Sequence, residues 1–202
     1  MKRALLVAFA SFLTSVATGA DTDYSYCTVC HGAYGNGNRA INAPKIAGLE
    51  PWYLKRQLEQ FRAGERGTRP ADAPGMEMQP VGVPLSDAAI DAVVRYVGRF
   101  EPQDPPATVR GDVKRGRSLY SSCEGCHGAR GEGNAALQAP ALAGQTDWYL
   151  VTQLKRFSAG ERGYSTQDVP GSQMRAAASV LTDSCAVDDV VAYINTFRKG
   201  EG

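Results

Sequence analysis

Residues 24–87 recur as residues 120–183 at a constant offset of 96 without a gap, and 32 of these 64 positions are identical. The longest shared stretches are Trp52–Leu54 with Trp148–Leu150, and Ala63–Gly67 with Ala159–Gly163. A repeat of this length exceeds a solenoid unit and fits one small domain. The chain therefore reads as two homologous domains in tandem. Past Asp183 the second copy gains one residue, after which Val93, Val94, Tyr96 and Phe100 match Val190, Val191, Tyr193 and Phe197. Between the copies lies EPQDPPATVRGD, residues 101–112. Its prolines make it a semi-rigid linker. The expected boundaries are 1–20, 21–104 and 105–202.

Helical periodicity dominates both copies. Residues 52–63 and 148–159 space Trp52, Leu54, Leu58 and Phe61, and Trp148, Leu150, Leu154 and Phe157, along one helical face. Pro51 suits a first helical turn, and Thr146 or Asp147 suits an N-cap. Gly64 and Gly160 are the expected stops. Asp112–Ser122 reads as an amphipathic helix leading into Cys123, and a last helix follows Ser86 in one copy and Thr182 in the other. Neither copy shows sustained period-two alternation. The expected fold class is all-α, with long Gly/Pro-rich loops.

The N-terminus carries a separate signal. Lys2 and Arg3 precede an apolar run from Ala4 to about Ala17, and Thr18-Gly19-Ala20 ends in small residues. This is the pattern of a cleaved secretory signal peptide, and the run is short for a bilayer span of about 20 residues. An exported protein with no membrane-spanning segment after cleavage near Ala20 is expected, and peripheral membrane association stays open. The 22 basic and 21 acidic residues nearly cancel. That balance argues against nucleic-acid binding, whose affinity comes from neutralising phosphates.

Each copy holds Cys-x-x-Cys-His once: Cys27, Cys30 and His31, then Cys123, Cys126 and His127. This is the attachment signature of c-type haem. Two thiols one helical turn apart add to the two vinyl groups of one porphyrin, and the adjacent histidine lies under the ring. A zinc site of this kind needs four protein ligands, and the chain has two histidines and five cysteines in all. Two covalent haem c groups are therefore expected.

Counting leads to the second axial ligand. Both histidines are spent. Besides Met1 the methionines are Met76, Met78 and Met174. Met78 and Met174 each stand 47 residues after their histidine and three after a Pro-Gly pair, in what reads as a loop over the haem. They are the expected ligands. Met76 aligns with Ser172 and reads as packing at the haem edge, with ligation as the alternative. A soft, neutral thioether raises the reduction potential, and a filled sixth position favours electron transfer over catalysis.

Several other positions are candidates near the haems. The Pro44 and Pro140 carbonyls could accept the ring N–H of the histidine. Trp52 and Trp148, with Tyr53 and Tyr149, either donate to haem propionates or fill the core. Arg66 and Arg162 either neutralise propionates or are solvated charges at helix ends. Cys185 has no counterpart. It reads as a small buried residue at the start of the last helix, with a disulfide-linked dimer or a reactive thiol as alternatives.

These motifs resemble the dihaem cytochrome c4 family, that is, tandem class I cytochrome c domains. The resemblance rests on CTVCHGAYGNG and CEGCHGARGEG, the APKIAG and APALAG loops, the helices from WYL to AGERG, and the PGxxM segments, and it spans residues 24–198. It implies a periplasmic electron carrier between a quinol-oxidising complex or dehydrogenase and a terminal oxidase or reductase. It also implies two domains packed about a pseudo-two-fold axis with their propionate edges facing. The competing readings are a fixed subunit of a larger dehydrogenase or oxidase, and a dihaem peroxidase or sulfur-compound oxidoreductase. Residues 21–104 hold nine basic and eleven acidic side chains, and residues 105–202 eleven and ten. So small an asymmetry predicts docking through an apolar patch around a haem edge rather than long-range steering.

Overall fold

The computed structural model describes residues 24–197, so the signal-peptide reading lies outside the described residues. The first domain contributes α1 (Tyr26–His31), α2 (Pro51–Ala63), α3 (Ala73–Gly82) and α4 (Asp87–Val97). The second contributes α5 (Val113–His127), α6 (Asp147–Ser158), α7 (Val169–Ala178) and α8 (Ser184–Ile194). No β-strand occurs among the described residues. Each domain has only an isolated bridge, Asn38–Ala43 and Asn134–Ala139, which pinches the loop after the histidine.

Local chemistry sets the helix ends. Pro51 opens α2, where its missing N–H costs nothing. Gly64 closes α2 in the left-handed region (φ 71°), and its N–H bonds back to the Gln60 and Phe61 carbonyls. Ser86 caps α4 by accepting from Ala89 N–H. At α8 the cap is Asp183, one residue later than the expected Thr182; it accepts from the Cys185 and Ala186 amides.

Thr146 is the N-cap of α6, one of the two expected residues, though its side chain makes no capping bond. The Asp147 carboxylate instead holds the linker, accepting from the Thr108 amide and hydroxyl and the Val109 amide. The segments carrying Met78 and Met174 are helices, α3 and α7, rather than loops. Asp72 and Asp168 cap them through Gly75 N–H (3.1 Å) and Gly171 N–H (2.9 Å). Cys185 is exposed rather than buried.

In each domain two helices flank the cleft, and in domain two the motif helix packs on the last helix. In domain two α5 lies on α8, with Tyr120 edge-on to Tyr193 and Phe197 at centroid distances of 5.5 and 5.1 Å. Close approach requires Gly116, where a Cβ would fall 1.9 Å from the Asp189 carbonyl oxygen. In domain one Tyr24 occupies the Tyr120 position, buried with its ring 6.4 Å from Tyr96. The apolar cores are separate: Ile90, Val93 and Val97 centre one, and Val190, Val191 and Ile194 the other.

Candidate functional site

Each Cys-x-x-Cys-His motif ends a helix, so its two thiols lie one turn apart and the histidine sits at the helix end. His31 and His127 are buried. The Nδ1 atom of each is 2.8 Å from a backbone carbonyl oxygen, Pro44 for His31 and Pro140 for His127. Burial pushes both imidazoles below their ordinary pKa, and the carbonyl contacts oppose the shift only in part. The shift favours the neutral form of both rings. With Nδ1 engaged, Nε2 is the nitrogen free to bind a metal.

A cleft opens beside each histidine, of about 1400 Å³ in domain one and 1270 Å³ in domain two, counting space continuous with solvent. Cys27, Cys30, His31 and Met78 line the first, and Cys123, Cys126, His127 and Met174 the second. Each motif is thus brought together with one methionine. Met76 is exposed and lines neither cleft. No disulfide joins either cysteine pair, and Cys185 lines neither cleft.

The walls of each cleft come from both domains. Trp148, Tyr149, Gln153 and Arg156 of domain two close the first cleft, and Tyr53, Arg56, Gln57 and Gln60 of domain one close the second. Trp148 therefore borders the opposite domain's cleft. Trp52 lines neither; it sits edge-on to Tyr53 and under the Arg56 guanidinium at 5.2 Å.

Between the clefts the repeat makes a crossed network. Arg66 donates to Gln57 of its own domain (2.6 Å) and to Tyr149 and Gln153 of the other (both 3.2 Å). Arg162 donates to Gln153 of its own domain (2.7 Å) and to Tyr53 (3.0 Å) and Gln57 (2.8 Å) across the interface. Both arginines are buried, so they are not solvated helix-end charges. Burial pushes the Tyr149 hydroxyl up, but the Arg66 and Arg162 guanidiniums beside it win and hold its pKa below the ordinary value. Reading the sequence overlooked Gln57 and Gln153. The signal was there: a glutamine recurs at the same place in both copies, among the apolar positions of α2 and α6.

The cavities suit haem. Each has apolar walls, two thiols at one side, and an imidazole and a thioether among its lining groups. Arg56, Arg66, Arg156 and Arg162 line the clefts where they meet, and among the described residues Arg156 alone of the four forms an ion pair, with Asp72. Arg56 Nε, Arg66 Nε and Gln153 Nε2 are buried there without a partner. Buried orphan donors are costly, and cofactor carboxylates at this edge would satisfy them. His31 and Met78 would hold one iron and His127 and Met174 the other, while the cysteines attach the rings.

Comparison with known proteins agrees. The cytochrome c family model matches residues 17–100 and again 113–198. The chain is 33% identical to a thiosulfate dehydrogenase electron acceptor of Stutzerimonas stutzeri (strain A1501), over 78% of this chain and 74% of that protein. It is 32% identical to cytochrome c4 of Azotobacter vinelandii, over 86% and 83%. The crystal structure of reduced cytochrome c4 from Pseudomonas stutzeri superposes with a TM-score of 0.66 at 29% identity, covering 86% of this chain and 94% of that one. The chain belongs to the cytochrome c family, as a tandem, two-haem electron carrier of the cytochrome c4 type.

Proposed function

We propose that the protein is a periplasmic shuttle that takes single electrons from a quinol-oxidising complex or a dehydrogenase and passes them to a terminal oxidase or reductase. The observation that carries this reading is the pairing of a buried imidazole with a thioether in each cleft, His31 with Met78 and His127 with Met174. Haem iron, when bound, alternates between ferric and ferrous and so handles one electron at a time. The chain's residues keep that chemistry closed. His31 with Met78, and His127 with Met174, would hold the iron from both sides and leave no place for oxygen or peroxide, and the thioether would favour the ferrous form. The crossed Arg66 and Arg162 network holds the clefts against each other and supplies positive charge for propionates, which supports internal transfer between the haems.

Relatives named as electron acceptors of thiosulfate dehydrogenase favour a dehydrogenase as the donor. Among the described residues no helix is long and apolar enough to cross a membrane, which is compatible with a diffusing carrier. Met78→Ala and Met174→Ala test the closed-site reading: each should let one haem per chain bind carbon monoxide, whereas Met76→Ala should let none. Carbon monoxide binding unchanged in both ligand variants would sink it. Gel filtration of a native periplasmic extract separates the free shuttle, eluting near its monomer or dimer mass, from a fixed subunit of a larger complex.

A further inference from the structure

The two domains are near copies, so places where the duplication fails at their interface are informative. Asp72 and Asp168 match in the repeat and do the same local work, capping α3 and α7. These helices carry Met78 and Met174. Beyond the cap their settings differ. Asp72 is completely buried and paired with Arg156 of the other domain, with Nη1 to Oδ1 at 2.6 Å. The residue matching Arg156 is Gln60, which accepts instead from its neighbour Gln57 at 3.0 Å. Among the described residues no ion pair involves Asp168. Arg56 and Arg162 feel its charge but donate elsewhere, Arg56 to Gln138 and Arg162 to Tyr53, Gln57 and Gln153.

We infer that Arg156 is a positioning residue for the axial methionine of domain one: by holding Asp72 across the interface, it ties the Met78 helix to the docking of domain two, a control that Met174 lacks. The inference rests on Met78 and Met174 being the axial ligands. Removing the guanidinium leaves Asp72 buried without a counter-charge, which is strongly unfavourable. The carboxylate cannot relax in place, because a Cβ on Gly75 would already fall 2.0 Å from its Oδ2. Relief comes by opening the first turn of α3, and Met78 follows on the same helix. Domain two has no equivalent lever, so separating the domains disturbs one haem's ligation and spares the other's.

The test uses the full-length dihaem protein. The ferric methionine–iron charge-transfer band and carbon monoxide binding by the reduced form are measured for wild type, Arg156→Gln, Arg156→Lys and Met76→Ala. Arg156→Gln installs the residue that domain one carries at the matching place. It should lose about half the methionine band, bind one carbon monoxide per chain and move one of the two reduction potentials. Arg156→Lys should restore the band, and Met76→Ala, at an exposed residue that lines neither cleft, should keep it whole. If Arg156→Gln does not fold, Arg156→Met keeps a stem of similar length without the charge, leaves the Asp72 carboxylate equally uncompensated, and the same selective loss is expected. The inference is overturned if both methionine signals persist, if they fall together, or if a potential moves with the band intact, which is the signature of charge alone. A wild-type protein with fewer than two methionine signals overturns the ligand assignment instead, so the two failures are distinguishable.

Discussion

The Nδ1 atom of His127 lies 2.8 Å from the carbonyl oxygen of Pro140, and the same separation joins His31 to Pro44 in the other domain. The acceptor is backbone, so the bond does not depend on the proline side chain. Proline's part is to stiffen the loop that presents the carbonyl. Pro140→Ala should therefore leave the reduced optical spectrum unchanged and lower stability by about 0.4–1 kcal/mol, through the greater freedom of the unfolded chain. Denaturant unfolding checks this. A changed axial ligand spectrum in Pro140→Ala would mean that the ring itself packs against the site.

Asp147 makes the linker part of domain two. Burial raises its pKa, but the Val109 and Thr108 hydrogen bonds outweigh burial and leave it below the ordinary carboxylate value. A depressed folded pKa means that the unfolded chain takes up the proton first. The stabilisation is therefore complete above the unfolded value of about 3.9 and is lost as pH falls below it through the folded value. Asp147→Asn should lower stability at neutral pH by about 1–3 kcal/mol and flatten the acid limb of the stability profile. Thermal unfolding between pH 3 and pH 7 shows both effects, and an acid limb of unchanged slope would contradict the assignment.

Two glycines of domain two predict opposite outcomes for the same substitution. A Cβ on Gly171 would stand 1.9 Å from Asp168 Oδ2, so Gly171→Ala displaces the cap of α7. Loss of the cap together with overpacking should cost about 2 kcal/mol or more. Gly125 lies inside α5 with nothing within 4 Å of its Cβ position, and its repeat partner Val29 is an exposed side chain. Gly125→Ala should stabilise by about 0.5–1 kcal/mol by removing backbone entropy from the unfolded state. Urea midpoints of the two variants, measured beside the parent, decide the matter.

The helices and the duplication were legible because they rest on local signals. Apolar spacing marks α2 and α6, Pro51 and Gly64 bound α2, and half the aligned positions coincide. Reading Met78 and Met174 as loop residues failed because the Pro-Gly pairs looked like turns. In the structure each pair sits in the first turn of a helix started by an aspartate cap, where proline is tolerated. Residue type alone favours a buried Cys185, but its place beside the Asp183 cap puts it at an exposed helix start. The crossed roles of Arg66, Arg162 and Trp148 depend on how one domain meets the other. No periodicity within a copy encodes that relation. Only the asymmetric substitutions between copies, such as Gln60 against Arg156, hint at it.

If each haem is closed by histidine and methionine, the protein carries electrons without binding small ligands. The decisive measurement is the optical spectrum of the purified ferric protein, with the methionine–iron charge-transfer band quantified per haem, followed by carbon monoxide addition to the reduced form. Two methionine-ligated haems per chain and no carbon monoxide complex are expected. A methionine signal from only one haem, or rapid carbon monoxide binding at either, would contradict that closure and point to an open, catalytic site.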